Sequence, residues 1–259
     1  MIRLIYDGGF EGFLTCVFEL YERKSDTGRI VRSNLYQPLL EEEVITIDAD
    51  SAKANRVWKG LKKKTSTGKL NQFYKSFLSE REDMEDNLLS FIRYVFSSAE
   101  SVEKDYSNKS ALYISQMAKQ VHREKHRMEA FTRFQLTTDN IYYAAIEPDF
   151  NVLPLIVKHF KDRYADQHWI IYDRRRNYGI QYNAETFKVT EIQLTLTEET
   201  DRTFLPKSVV AEEEPHYQQL WQQYFSSVNI SPRKNTKLHV RHVPLRYWKY
   251  LTEKMISIE

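Results

Sequence analysis

The sequence predicts an α+β fold, with a helical N-terminal half followed by a mainly antiparallel sheet flanked by helices. Between residues 52 and 131, apolar side chains recur every three or four residues, which is the period of a helix face. Between residues 132 and 194, the apolar segments are short, rich in aromatic and β-branched residues, and separated by turn residues. We therefore expect a mostly helical region over 1–105 and the sheet over 106–259, unless both halves form one continuous domain.

The N-terminal half is predicted to begin with a two-strand element. An apolar strand covers 2–6, Asp7-Gly8-Gly9 turns the chain into a helix over 10–23, and a second strand covers 44–47. Asp48 or Asp50 can cap the helix that follows. Further helices are predicted over 52–63, 70–79, 84–97 and 111–131. The polar stretch 101–110 predicts a linker.

The C-terminal half is predicted to contain five strands and three helices. The strands cover 132–137, 141–146, 169–172, 178–182 and 187–194, and the helices cover 154–164, 216–228 and 244–256. In helix 216–228, the spacing of Trp221, Tyr224, Phe225 and Val228 predicts a buried face. The acidic, polar stretch 195–214 predicts a surface segment.

The composition excludes several classes of protein and of site. No apolar run approaches the roughly 20 residues of a membrane-spanning helix. The apolar patch at the N-terminus is too short for a signal peptide. We therefore expect a cytoplasmic protein. Cys16 is the only cysteine, which excludes an internal disulfide, a four-thiolate zinc site and an iron–sulfur cluster held by this chain alone. The apolar run around Cys16 predicts a buried thiol.

The charges are sorted along the chain, although the net charge is only +2. Neither 51–79 nor 215–252 contains Asp or Glu, while Lys and Arg are frequent in both windows. Such sorting predicts basic faces that can contact phosphates, and aromatic residues interleaved with the cations suit base stacking. A solvated lysine face and buried rings are the alternative. We expect the nucleic-acid contacts at Lys62, Lys63, Lys64, Arg123, Lys125, Arg127, Arg133, Lys237, Arg241, Arg246 and Lys249.

Five residues are candidates for catalysis. Asp7 and Glu11 border a glycine turn that lacks the spacing of a phosphate-binding loop, and their carboxylates would repel phosphate. Glu147 and Asp149 follow a predicted strand, where an acid–base pair or a simple acidic turn can lie. His126 and His122 share a helix face, but the neighbouring cations and the lack of a zinc motif predict no metal site. The sequence predicts no cofactor.

Five segments carry a resemblance to a known family. The family's pattern is found in five ranges of this sequence. They are 6–15 with 17–19 (YDGGFEGFLT, VFE), 126–134 (HRMEAFTRF), 145–149 (AIEPD), 159–169 with its His-Phe, Arg-Tyr and His-Trp pairs, and 244–249 (PLRYWK). Together they resemble an uncharacterised bacterial family labelled as DNA metabolism or DNA repair proteins. Members are encoded beside a radical-SAM DNA repair protein, and related domains are fused to uracil-DNA-glycosylase-like domains.

The resemblance implies a role in DNA repair or base modification together with a radical-SAM partner. No catalytic residue can be carried over from it. With one cysteine, this chain cannot supply the three thiolates of a radical-SAM cluster, so the cluster would belong to the partner. The leading hypothesis is a DNA-binding accessory protein, with no membrane role. The alternatives are a glycosylase-like hydrolase that uses the carboxylates and a scaffold whose basic faces meet acidic proteins.

Overall fold

The computed structural model of the protein describes residues 2–38, 43–194, 205–206, 208–228 and 235–254. The chain forms two compact units, Met1–His122 and Arg123–Glu259, and the division falls within a helix, α5 (Lys109–Phe131). The predicted α+β class is confirmed. Most of the predicted acidic segment (195–204 and 207), Arg233 and Lys234 of the second basic window, and the end of the predicted helix 244–256 lie outside the described residues.

The first unit contains a parallel sheet of three described strands, where the sequence predicted two. Its strands are β1 (Ile2–Tyr6), β2 (Arg29–Arg32) and β3 (Glu43–Thr46), in the order β2-β1-β3. Both β2 and β3 pair with β1 in parallel. The sequence signal of β2 is weak because it has only two apolar residues between arginines. Pairing with the buried β1 makes it a strand.

Helices of the first unit surround an aromatic core. They are α1 (Phe10–Glu22), α2 (Ser51–Lys64), α3 (Thr67–Phe77), α4 (Met84–Ser97) and the first part of α5. The Phe10 ring meets the rings of Trp58, Tyr74 and Phe77 at centroid distances of 5.0–5.5 Å. The aromatic residues of the first basic window therefore serve the core. Cys16 is buried as predicted, and burial raises the pKa of its thiol to about 12.

The second unit contains a five-stranded sheet in the order β4-β5-β6-β7-β8. Its strands are β4 (Gln135–Leu136), β5 (Tyr142–Ile146), β6 (Trp169–Asp173), β7 (Tyr178–Asn183) and β8 (Lys188–Ile192). Three of the four pairs are antiparallel, and only β5 and β6 run parallel. Helix α6 (Leu153–Arg163) makes the crossover between β5 and β6 that a parallel pair requires.

Two predictions for the C-terminal helices are wrong. Helix α7 (Glu214–Val228) forms, but Trp221, Tyr224 and Val228 are exposed and not in the core. The predicted helix 244–256 is instead a 3-10 helix, Leu245–Tyr250, that follows a short helix α8 (Thr236–His242). Pro244 disfavours helical backbone at the preceding residue and so separates the two. Across the described part of the chain, no helix is long and apolar enough to cross a membrane.

Candidate functional site at the ends of β5 and β6

Two neighbouring parallel strands end side by side in the second unit. Ile146, the last residue of β5, is paired with Asp173, the last residue of β6. Glu147-Pro148-Asp149 continues from β5, and three arginines, Arg174 to Arg176, continue from β6. The carboxyl ends of adjacent parallel strands are a common location of ligand sites in sheets with crossover helices. Carboxylates and guanidinium groups are thus concentrated at this edge.

A buried ion pair fixes the two loops to each other. The Asp173 carboxylate is fully buried and lies 2.8 Å from Nη1 of Arg176. Arg176 also donates hydrogen bonds to the carbonyl oxygens of Pro148 (3.1 Å) and Asp149 (3.3 Å). Burial raises the pKa of Asp173, while Arg176 opposes the shift. This pair supports the site from inside the fold.

A second buried carboxylate, Glu124 of α5, brings three segments together. Its side chain is only 1% exposed, and its Oε1 accepts hydrogen bonds from the Asp149 backbone N–H (2.9 Å) and from the Tyr247 hydroxyl. Its Oε2 lies 3.3 Å from Nη1 of Arg127 and 3.6 Å from Nη2 of Arg246. Glu124 therefore holds the loop after β5 and the C-terminal segment against α5.

The exposed layer of the site consists of alternating charges. Glu147 accepts hydrogen bonds from Lys249 Nζ (2.5 Å) and the Tyr250 hydroxyl (2.6 Å), and these bonds lower the pKa of Glu147. Asp149 pairs with Arg246 (2.5 Å) and lies 3.9 Å from Arg175. Side-chain exposures of Glu147, Asp149, Arg246, Lys249 and Arg175 lie between 40 and 56%.

This arrangement favours electrostatic contact over proton transfer. The hydrogen bonds from Lys249 and Tyr250 lower the pKa of Glu147 further below neutral pH, so this carboxyl group is not a proton donor there. Asp173 is the carboxyl group of the site with a raised pKa, but it is fully buried against Arg176. Among the exposed cations, Arg246 and Lys249 are already paired with Asp149 and Glu147, whereas Arg175 lies 3.9 Å from Asp149 and can contact an anionic group.

The structure brings together two of the five catalytic candidates, Glu147 and Asp149. His126 lies on the same unit, where its exposed ring is 3.3 Å from Glu129 Oε2. Glu129 also contacts Lys125 at 2.5 Å and His159 at 3.8 Å. No group of three or more metal-ligating side chains occurs in the ranges that the structure describes.

Asp7 and Glu11 belong to the first unit and make local contacts. Asp7 accepts a hydrogen bond from the Gly9 backbone N–H at 2.8 Å, which closes the turn between β1 and α1. Glu11 accepts a hydrogen bond from the Ser51 hydroxyl at the start of α2. Both carboxylates are exposed and organise the turn and the helix start.

The predicted nucleic-acid contacts fall into three groups. The first group is exposed and forms no ion pair with a carboxylate among the described residues. It consists of Lys62, Lys63, Arg123, Lys237 and Arg241. Lys64 donates to the carbonyl oxygens of Phe96 (3.2 Å) and Ser98 (2.8 Å) at the end of α4. The paired cations are Lys125 with Glu129, Arg127 with Glu124, Arg133 with Glu253, Arg246 with Asp149 and Lys249 with Glu147.

Sequence reasoning missed six residues of the site, which are two buried carboxylates, two tyrosines and two arginines, Arg175 and Arg176. Glu124 and Asp173 are single carboxylates in ordinary helix and strand patterns, and nothing local indicates their burial. Tyr247 and Tyr250 lie in a segment read as one helix, although both hydroxyls donate to carboxylates. The run Arg174-Arg175-Arg176 directly after a strand was the available signal.

Comparison with protein families gives one match. The profile of a domain of unknown function, DUF4130, matches residues 82–253, about two thirds of the chain. The chain belongs to this family. The DUF4130 region contains all the residues of the candidate site, together with four of the five segments described above; segment 6–19 precedes it.

Two further comparisons add no functional information to the DUF4130 assignment. A search of curated proteins finds no match. Among solved structures, a pGpG-specific phosphodiesterase, PggH, from Vibrio cholerae is similar with a TM-score of 0.36 and 9% identity, over 88% of this chain and 99% of that chain.

Proposed function

We propose that this DUF4130 protein is a DNA-binding accessory protein in DNA repair or base modification, which acts in the cytoplasm with a radical-SAM partner. The observation that carries the DNA contact is the exposed face of α2. Lys59 and Lys63 are one helical turn apart on that face, and no carboxylate pairs with either in the described parts of the chain. Like charges at this spacing destabilise a helix slightly, so packing gives no reason for them.

Neighbouring cations extend this basic face. Lys62 lies 6.0 Å above the Trp58 ring and Arg56 lies 4.8 Å above the Phe18 ring, and both side chains remain exposed. Lys53, on the same helix, is instead paired with Glu19 at 2.6 Å. The face of Arg56, Lys59, Lys62 and Lys63 therefore suits a row of phosphates.

The state of the candidate carboxylates supports an accessory role over an enzymatic one. Glu147 is paired with Lys249 and Asp149 with Arg246, so both carboxylates are already engaged in ion pairs within the protein. The radical-SAM partner is proposed from the family resemblance. Its cluster would be held by the partner's own cysteines, because Cys16 is buried and alone.

DNA binding by the α2 face can be measured by fluorescence anisotropy with labelled oligonucleotides. We expect affinity to fall with salt, with a log–log slope of roughly −3.5 for single strands or −4.5 for duplex if about five phosphates are contacted. The triple variant Lys59→Gln, Lys62→Gln, Lys63→Gln should lower the slope by about 2 to 3 and weaken all sequences alike.

The matched control is Lys53→Gln, which removes a lysine from the same helix that is already neutralised by Glu19. We expect its salt slope to match that of the wild type. Equal effects of Lys53→Gln and the triple variant would contradict the assignment to this face. Binding no tighter than that of a neutral control protein at about 50 mM salt would contradict DNA binding altogether.

A second experiment separates the accessory protein from a glycosylase-like hydrolase. The pure protein is incubated with oligonucleotides that contain uracil, alkylated or oxidised bases, and abasic sites are then cleaved with alkali. We expect intact strands from the protein alone. Strand breaks that disappear in Glu147→Gln or Asp7→Asn would make the protein an enzyme, since a base-excising site needs a carboxylate near the glycosidic bond.

A further inference from the structure

Helix α7 presents an apolar stripe to the outside. Tyr217, Leu220, Trp221, Tyr224 and Val228 are between 38 and 59% exposed. Because successive residues of a helix turn by 100°, these five side chains fall within an arc of about 100°. An apolar stripe of this width is the part of a helix that a folded protein normally buries.

One edge of the stripe, at Trp221, and the face of α7 next to it attach the helix to its unit. Gln222 donates to the Thr252 carbonyl oxygen at 3.0 Å, and the Trp221 indole N–H donates to Glu253 at 2.9 Å. Lys254 lies 4.6 Å above the Phe225 ring. These contacts fix the orientation of α7. Trp221, whose ring also lies 5.4 Å from the Arg133 guanidinium, is the most covered residue of the stripe, and the other four side chains stay 47–59% exposed.

The size of the stripe is that of an interaction surface. Large apolar and aromatic side chains expose roughly 200 Å² each when free, so five that are half exposed present on the order of 500 Å². Exposed apolar patches of this size on single chains are often functional. Two such stripes in contact would bury about 1,000 Å², which is the lower bound for a biological interface and fits a weak, micromolar association.

Charge indicates what covers the stripe. Residues 215–228 contain no Asp, Glu, Lys or Arg, although charged residues make up 29% of the chain. A nucleic-acid surface needs cations, and a charged protein partner would be matched by opposite charges, so neither fits this helix. A neutral face can meet its own copy across a two-fold axis without like-charge repulsion. The alternating spacing of three and four residues is that of a helix-pair seam.

We propose that α7 is a self-association surface through which two copies of this chain form a homodimer. Tyr217, Leu220 and Tyr224 lie along the seam, and Trp221 and Val228 border it. The two α7 helices pack against each other in an isologous contact, in which each helix covers the stripe of the other.

The test is sedimentation equilibrium of the full chain from about 1 µM to about 100 µM, the range in which a micromolar association is resolved. We expect a monomer–dimer equilibrium with a mass approaching twice that of the chain. Tyr224→Lys places a like charge in both halves of the contact, and it should raise the dissociation constant at least tenfold. Gln219→Lys adds the same charge on the opposite, exposed side of α7 and should leave association unchanged.

Circular dichroism identifies any variant that fails to fold, and Val228→Lys then replaces Tyr224→Lys. A wild-type mass that stays at that of one chain over the whole range overturns the proposal, as does an equal effect of Gln219→Lys and Tyr224→Lys. A monomeric wild type whose DNA affinity drops in Tyr224→Lys would assign the stripe to base stacking instead.

Discussion

At the scale of single residues, Glu124 determines the geometry of the candidate site more than any exposed group. Its buried carboxylate receives hydrogen bonds from the Asp149 backbone and the Tyr247 hydroxyl and faces Arg127 and Arg246. Burial, together with the hydrogen bond to Glu124, raises the pKa of Tyr247, so the phenol remains a donor at all ordinary pH values. The buried charge of Glu124 is tolerated because both of its carboxylate oxygens have hydrogen-bond or ion-pair partners.

Replacing Glu124 by Gln should therefore destabilise the protein by about 2 kcal/mol, since the variant leaves Arg127 and Arg246 without their buried counter-charge. The partly exposed arginines keep the loss below that of a fully buried pair. Urea denaturation at neutral pH measures it. Asp162→Asn, in the exposed Lys158–Asp162 pair, is the control, and we expect less than about 0.5 kcal/mol from it. A loss for Glu124→Gln no larger than that of the control would contradict this role.

The lowered pKa of Glu147 predicts a pH dependence. Because its folded pKa lies below the unfolded value, its contribution is fully present above the unfolded pKa and is lost as pH falls through the folded pKa. Glu147 is partly exposed, so the contribution is below about 1 kcal/mol. At pH 7, the free energy of unfolding of the wild type should be larger than that of Glu147→Gln, and the difference should decrease on acidification below about pH 4. A difference that is independent of pH would show that the ion pair with Lys249 does not stabilise the fold.

At the scale of elements, the pairing of β6 with β7 leaves no space for a side chain at Gly179. A Cβ atom there would lie 2.8 Å from Cδ2 of Tyr172 and 2.9 Å from the carbonyl oxygen of Ile171. Both neighbours belong to the strand that leads to Asp173, so the site depends on this close approach. By contrast, a Cβ at Gly68, in the first turn of α3, would meet only the Ser66 hydroxyl, at 3.7 Å.

We expect opposite effects from two glycine substitutions. Gly179→Ala should destabilise by about 1 to 3 kcal/mol because the backbone of β6 must move, whereas Gly68→Ala should stabilise by up to about 1 kcal/mol through its better helix propensity. Thermal and urea unfolding of the two variants test this. A neutral Gly179→Ala would mean that β6 and β7 can separate without cost.

At the scale of the whole molecule, each of the two units closes its own core. The first unit packs an aromatic cluster around Phe10, and the second buries Trp169, Tyr172 and Tyr182 in its sheet. The distribution of cations differs as well. In the second unit, five of the predicted phosphate contacts are neutralised by carboxylates, while Lys59, Lys62 and Lys63 of α2 in the first unit form no ion pair with a described carboxylate.

Because each unit has its own core, we expect the two units to unfold independently. In the Gly179→Ala variant, backbone hydrogen exchange should accelerate in β5 to β8 and remain unchanged in α1 to α3, because the strain lies within the second unit. Hydrogen exchange measured by mass spectrometry on proteolytic fragments resolves the two regions. Equal acceleration in both would show that the chain unfolds as one cooperative domain, the alternative that the sequence left open.

Elements with a strong local signal were predictable from the sequence alone. The bounds predicted for β1 and α4 equal those observed, because Asp7-Gly8-Gly9 ends the strand and a continuous apolar face defines the helix. The burial of Cys16 followed from its apolar neighbours in the same way. Such signals extend over a few residues and need no knowledge of what packs against them.

The tertiary structure alone decided which residues meet. Glu124 is 25 residues from Asp149 and 123 from Tyr247, and no local pattern encodes contacts over such separations. The same holds for α7, whose spacing predicted a buried face that the described residues do not cover. The sequence determined the α+β class, the sorting of charge and the helices up to α7, since these depend on short-range patterns, but it predicted neither α8 nor the 3-10 helix Leu245–Tyr250. Whether a cation is paired, a carboxylate buried or an apolar stripe exposed depends on packing between distant segments, and that is fixed only when the chain folds.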